Sequence, residues 1–319
     1  MAETSVSIII PSYNASSNLE RLVISLNSQT IKPCEIIVID DGSTDNTTKT
    51  INHLKKKYKL LKYFKQKNSG PAVARNNGAK KTKGNLILFT DSDCVPDKNW
   101  IKEMTSPFEQ KGVVGVQGAY KTKQTPLIAR FGQIEIEQRY DRMINQKEID
   151  WIGSYSAGFK RKNFLELGGY DESFPIASGE DPEFSFRLAK NGGKLIFNPN
   201  AIVFHTHPSK LMKYLKTKFF RAYYRPKMYS KHKEKIITDS YTPQLLKIQI
   251  ILVGLTLLSL LLINFNITSI LILIFLITMI PFFMFAWKKD KLVAIASPII
   301  VFLRSLVFGA GLIAGVVFR

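Results

Sequence analysis

Phe89-Thr90-Asp91-Ser92-Asp93 ends an apolar run that begins at Leu86, and it presents two carboxylates one residue apart. Residues i and i+2 of a strand share a face, so Asp91 and Asp93 can converge on one hard cation of the Mg2+ or Mn2+ type. The same three residues are also ordinary turn formers. What decides between the two readings is the rest of the chain.

Upstream, short apolar segments alternate with segments of helical spacing. Val6 to Pro11 reads as a strand, Leu19 to Gln29 as a helix, and Glu35 to Asp40 as a β-branched strand that runs into Asp40-Asp41-Gly42-Ser43-Thr44-Asp45. A second helix starts from the Ser43, Thr44 and Asp45 caps and runs to about Tyr58. Then come a strand over Lys62 to Lys65, a helix over Ala72 to Lys80 and the strand Leu86 to Thr90 that delivers the acidic pair. This is a βαβ opening, an α/β fold whose acids sit at strand C-termini, where open parallel sheets bind ligands. The first strand is followed by Pro11-Ser12-Tyr13-Asn14 and not by Gly-x-Gly-x-x-Gly. That argues against a dinucleotide-dependent dehydrogenase, and the lack of Gly-x-x-x-x-Gly-Lys-Ser/Thr argues against a P-loop phosphoryl transferase.

The chain has 319 residues, of which 45% are hydrophobic, and the apolar ones concentrate at its end. Residues 245–263, 267–287 and 292–318 form three blocks almost free of charge, each long enough to cross a bilayer as a helix. The expected organisation is a catalytic domain over residues 1–208, a basic juxtamembrane segment over 209–244 and a membrane domain over 245–319. Residues 209–319 carry 16 Lys and Arg against 3 Asp and Glu, so most of the net charge of +20 lies beside the apolar blocks. In residues 209–244 the basic side chains are interleaved with aromatic ones, from Lys210 and Tyr214 to Tyr229 and Lys235. Such a segment suits the boundary of an anionic leaflet better than a nucleic acid, given its place beside a membrane block.

Basic residues precede the first block and recur in Lys288-Lys289-Asp290-Lys291, whereas the link Asn264-Phe265-Asn266 is uncharged. The positive-inside rule then predicts a cytosolic catalytic domain and an external C-terminus in a cell-membrane protein. The opening Met1-Ala2-Glu3-Thr4 lacks the pattern of a signal peptide. Asn266-Ile267-Thr268 fits a glycosylation acceptor, but it lies in too tight a hairpin to be reached. Cys34 and Cys94 read as reduced thiols. Arg304, midway through the third block, needs a partner at membrane depth: a carboxylate, a lipid phosphate, or water admitted by a bend at Pro298.

Five segments taken in order resemble a family. They are Pro11-Ser12-Tyr13-Asn14, Val38 through Asp45, Asn68-Ser69-Gly70-Pro71 through Ala74-Arg75-Asn76, Asp91-Ser92-Asp93 and Gly179-Glu180-Asp181. Over roughly residues 5–208 the chain resembles the family 2 glycosyltransferases, which have the GT-A fold, a Rossmann-like nucleotide-sugar-binding domain. The resemblance implies inverting transfer of a sugar from a nucleoside diphosphate to a hydroxyl, with Mn2+ or Mg2+. It implies that Tyr13 packs on the nucleobase, Asp41 accepts the base N–H, Pro11 and Asn14 line the same pocket, and Arg75 steadies the nucleotide or its phosphates. Asp91 is expected to face the ribose or the ion, and Asp93 to ligate the ion. His205 is expected as a further ligand, with His207, two residues on, as the alternative. Asp181 matches the general base, with Glu180 and then Glu183 as rivals. Trp151 is a weak candidate for the acceptor side, and Arg221 for a phosphate contact.

Processive members of the family carry Gln-x-x-Arg-Trp after the base, and this chain does not. Single addition to a lipid-linked or membrane-proximal glycan, from a UDP- or GDP-linked donor at the cytosolic face, is therefore expected. A polyprenyl-phosphate sugar synthase or a processive polysaccharide synthase is the alternative, and a non-catalytic membrane-tethered nucleotide-sugar-binding scaffold the alternative of another class.

Overall fold

A computed structural model describes residues 4–240 and 242–318. The signal-peptide reading rests partly on residues 1–3, which lie outside that range. The described chain divides into two compact units, residues 4–123 with 143–206, and residues 124–142 with 207–318.

The first unit is built on one eight-stranded sheet. Its strands are β1 (Val6–Ser12), β2 (Glu35–Asp40), β3 (Leu61–Lys65), β4 (Leu86–Thr90), β5 (Cys94–Pro96), β6 (Val113–Lys121), β7 (Ser156–Lys160) and β8 (Lys194–His205), in the order β3-β2-β1-β4-β7-β6-β8-β5. The first four strands in that order are parallel, and β7 pairs antiparallel with β4 and β6. The helices of this unit are α1 (Leu19–Asn27), α2 (Thr47–Lys57), α3 (Pro71–Lys80), α4 (Trp100–Thr105), α6 (Arg161–Glu166) and α7 (Glu180–Lys190). Strand β2 is buried at every position, as a parallel strand covered on both faces should be, which is why its sequence is almost unbroken Ile and Val.

Small residues let α3 lie close to the sheet. A Cβ at Gly78 would come within 2.5 Å of the Ile9 side chain, so the helix rests directly on β1. Its start is fixed by Gly70, whose φ of +94° suits glycine and whose absent Cβ would meet the Pro175 carbonyl oxygen at 2.7 Å. Pro71 then opens the first turn with a pre-set φ. The consequence is that Arg75, one turn in, stands at the C-terminal ends of β1 and β4.

In the second unit are α5 (Leu127–Ile144, all but its last two residues), α8 (Leu211–Tyr223), α9 (Arg225–Lys231), α10 (Gln244–Leu261), α11 (Phe265–Lys289) and α12 (Lys291–Val317). The last three are long and apolar enough to cross a membrane. The compact units therefore differ from the linear division at residue 208, because residues 124–142 group with the apolar helices. Two glycines one turn apart in α12 take α8 against them. A Cβ at Gly311 would meet the Phe219 carbonyl oxygen at 2.5 Å, and Gly315 lies equally tight against Tyr223. The aromatic and basic residues of α8 are thus divided between a face on α12, where Ala222 is fully buried, and an exposed face that includes Arg221.

Arg304 has a carboxylate partner. Glu135 of α5 accepts from Arg304 and Arg139 at 3.0 Å through one oxygen, and from Lys218 at 2.6 Å and the Tyr214 hydroxyl at 3.0 Å through the other. Arg304 also donates to Gln249 of α10 at 2.8 Å. Pro298 sits inside a continuous α12.

Candidate active site

The C-terminal ends of β1 and β4 and the start of α3 enclose a cleft of about 570 Å3, closed on one side by Pro175, Ile176 and Ala177. Pro11, Tyr13, Asn14, Asp41, Arg75, Asp91 and Asp93 all line it. Tyr13 and Asn14 are exposed, Tyr13 with 52% of its surface open. Asn14 takes a left-handed backbone (φ +50°), and its side-chain oxygen accepts from the Thr44 amide at 2.9 Å, tying the β1 loop to the β2 loop.

Asp41 is mostly enclosed. One of its oxygens accepts from the Ser69 amide at 2.9 Å and Gln66 at 2.8 Å, and the other from the Gly70 amide at 2.8 Å. It anchors the turn that starts α3, a role the sequence reading did not foresee. Neighbouring Asp40 turns the other way and accepts from Tyr63 at 2.7 Å, burial and that bond pushing the Tyr63 hydroxyl up to about 12.

Arg75 bridges two carboxylates and does not point freely into the cleft. It donates to Asp91 at 2.8 Å and to Glu180 at 3.0 Å, and its plane lies over Tyr170, 5.8 Å from the ring centroid. Glu180 is fully buried, and its second oxygen accepts from the Ser178 and Gly179 amides. Every oxygen of Glu180 is therefore occupied. Glu183 is also committed, to a bidentate pair with Arg187 one turn on.

Asp181 is different. One of its oxygens accepts from the Ser154 amide at 3.1 Å and the Ser154 hydroxyl at 3.3 Å, while the other is buried with no hydrogen-bond partner. Burial, with Glu180 adding to it and Arg75 opposing, pushes its carboxyl up to about 7. A carboxylate with one unpaired oxygen, poised near neutrality, is the form a general base takes. Ser154, which hydrogen-bonds it through both amide and hydroxyl, was missed in the sequence because a serine among small residues carries no distinguishing signal.

Asp93, just before β5, faces His205 at the end of β8, with Oδ2 to Nε2 at 3.2 Å. His207 is not its equivalent, since β8 ends at His205 and the alternation of faces ends with it. The His207 ring is hydrogen-bonded to Gln133 at 2.9 Å, within the second unit. Trp151 packs edge-on against Phe186, 6.1 Å between centroids, and Arg221 belongs to the second unit.

The Arg75 bridge gives a stability prediction. Removing it leaves two carboxylates uncompensated beside Asp181, so Arg75→Ala is expected to lose about 3–5 kcal/mol. Arg75→Lys is expected to recover only part of this, because an ammonium cannot fork to both acids. Thermal unfolding of the two variants checks the order.

Residues 7–166, half of the chain, match the family described as Glycosyl transferase family 2. The chain is 27% identical over 222 residues to a pre-mycofactocin glycosyltransferase of Mycobacterium tuberculosis, covering 67% of this chain but 45% of that one, so it spans less than half of that relative. It is 28% identical over 231 residues to glycosyltransferase AglE of Haloferax volcanii, covering 68% of this chain and 71% of that protein. Among solved structures, the mannosyltransferase PcManGT of Pyrobaculum calidifontis, determined with GDP-Man and Mn2+, superposes with a TM-score of 0.62 at 18% identity, over 99% of this chain and 87% of that one. That likeness bears on the fold, which is the mixed α/β GT-A arrangement. Cleft, sheet order and family match agree, and this chain belongs to glycosyltransferase family 2.

Proposed function

We propose that the chain moves a sugar, with inversion and in a single addition, from a nucleoside diphosphate to a hydroxyl of a lipid-linked or membrane-proximal glycan. The observation that carries this reading is Asp181, a buried carboxylate with one unpaired oxygen, poised near neutrality beside a cleft rimmed by Asp91 and Asp93. Its ionised form takes the proton of the acceptor hydroxyl as that oxygen attacks the anomeric carbon and the bond to the diphosphate breaks. Tyr13 offers an exposed ring for a base to stack on, and Asp41, whose Oδ2 accepts only one hydrogen bond, lies on the cleft wall for a base N–H. Arg75 holds Asp91 and Glu180 at fixed positions, with Asp91 on the cleft wall for the ribose.

Asp93 and His205 fit a divalent cation. A carboxylate oxygen and an imidazole nitrogen 3.2 Å apart suit Mn2+, and Mg2+ less well. No group of three or more His, Cys, Asp and Glu is assembled among the described residues, so the remaining positions would fall to diphosphate oxygens and water, the usual arrangement for a phosphate-bridging ion. Such an ion, when bound, neutralises charge on the departing diphosphate.

The apolar helices of the same chain favour an acceptor presented at a membrane, and the placement of Lys and Arg favours a cytosolic face with an anionic leaflet beside α8 and α9.

The test is release of UDP or GDP from a panel of nucleotide sugars by detergent-purified protein with membrane lipid extract. Release is expected to need Mn2+ or Mg2+, to stop with a chelator and to return on adding the ion. Asp93→Ala is expected to lower it by roughly 100-fold or more. Donor binding with no release from any sugar would overturn the catalytic reading in favour of a scaffold, and a ladder of long products would overturn single addition.

A further inference from the structure

Three aromatic rings lie in a row behind the acidic pair. His205 stacks on Tyr120 of β6, 4.4 Å between centroids and 26° between planes, and Tyr120 stacks on Tyr155, at 3.6 Å and 17°. Tyr155 comes from the loop that precedes β7, and the residue before it, Ser154, supplies both hydrogen bonds to Asp181. The loop is pinned at both ends. The Gly153 amide donates to Gln117, and the Ser156 hydroxyl accepts from the Trp100 indole at 2.9 Å. The Tyr155 ring folds back over Gly153 so closely that a Cβ there would stand 2.5 Å from it. A side chain at position 153 would therefore push the ring off Tyr120.

We propose that Tyr155, acting through Tyr120, is a positioning residue that sets the plane of the His205 imidazole and joins the loop holding Asp181 to the cation side of the cleft. The proposal rests on the reading of Asp93 and His205 as cation ligands. An imidazole can turn about two bonds. A ligating ring needs something to fix its orientation, usually a hydrogen bond from outside the ligand sphere. Here the flat face of Tyr120 restricts that rotation, and Tyr155 backs Tyr120 in turn. Because the same loop carries Ser154, a displacement of the loop on the Asp181 side is felt at the imidazole.

The experiment is Mn2+ binding, followed by electron paramagnetic resonance on the full-length protein in detergent, with UDP and then GDP present. Wild type is compared with Tyr155→Phe, Tyr155→Ala, Gly153→Ala and His205→Ala. Tyr155→Phe keeps the stacked ring and is expected to bind Mn2+ as wild type does. Tyr155→Ala and Gly153→Ala are expected to weaken Mn2+ binding about 10-fold, the lower end of the range for groups that orient a ligand. Thermal unfolding of the same samples shows which of them are folded, and the Tyr155→Phe and Tyr155→Ala pair separates loss of the ring from loss of the hydroxyl. If Tyr155→Ala binds Mn2+ like wild type while His205→Ala does not, the positioning role is overturned and the cation reading stands. If His205→Ala also binds like wild type, the cation reading fails and the proposal falls with it.

Discussion

Asp181→Asn is expected to keep donor binding and lose roughly 10²–10⁴-fold in turnover, the usual contribution of a positioned base. The substitution is conservative in shape. Asn can still accept from the Ser154 amide, so the loop and the first turn of α7 keep their geometry, and only the proton acceptor is removed. A pH profile separates this role from a structural one. The carboxyl titrates near 7, so wild-type turnover should rise as pH climbs through that value and level off above it. The residual activity of Asp181→Asn should lack that limb.

Stability moves the other way. The folded carboxyl sits above its unfolded value of about 4, so between about pH 4 and 7 the native state holds a proton that the unfolded chain has released. Stability then falls as pH rises across that window, where the buried group must ionise. Asp181→Asn removes the penalty, so the inactive variant is expected to melt higher than wild type above pH 7 and to differ little near pH 4. A variant that is inactive and also less stable at pH 8 would mean that Asp181 holds the fold together and is not a base maintained at a cost.

How much of this was legible in the sequence depended on whether a residue's job is local. Strand β4 and its two acids could be read at once, because an apolar pentapeptide followed by Asp-Ser-Asp is a local pattern, and β2 was readable for the same reason. The positions of Asp41 at a strand end and Arg75 near a helix start followed from the alternation of elements, whereas Asp181 was reached through the family resemblance of Gly179-Glu180-Asp181. Their partners did not. Arg75 finds Glu180 across 105 residues of chain, and Asp41 finds Gly70 across 29, so whether Arg75 meets a phosphate or a carboxylate is settled only by tertiary packing. His207 shows the converse failure. The two-residue period places it beside His205 only while the strand lasts, and the strand stops two residues short of it.

Helix α5 was the largest omission. Its apolar residues are distributed around the helix, with Glu135 and Arg139 among the buried positions, so the periodicity that marks an amphipathic helix is blurred. The irregularity has a physical source, since α5 turns a charged stripe toward other charged side chains. Arg304 had signalled from the far end of the sequence that some partner must exist. What it could not signal was that the partner lies 169 residues earlier, on a helix that follows a strand of the sheet.

Glu135→Ala is accordingly expected to be among the most damaging single changes outside the cleft. One carboxylate receives four donors there, three of them cationic, and all four side chains of the ionic group are buried. Although burial alone would raise it, the charges of Lys218, Arg139 and Arg304 hold the Glu135 carboxyl well below the usual range, so it stays ionised. Taking it away strands the cations against one another, at about 3–5 kcal/mol for a buried pair broken on one side. For a chain of this length that is a fall of roughly 4–8 °C in Tm, measurable in detergent. The informative comparison is the double variant Glu135→Gln with Arg304→Met. If the cost comes from uncompensated charge and not from lost packing, removing one cation along with the anion should destabilise less than Glu135→Gln alone. A double variant as damaged as the sum of its two parts would instead mean that each residue is held by separate neighbours. Glu135 would then be one contact among many and not the group that holds α5, α8 and α12 in register.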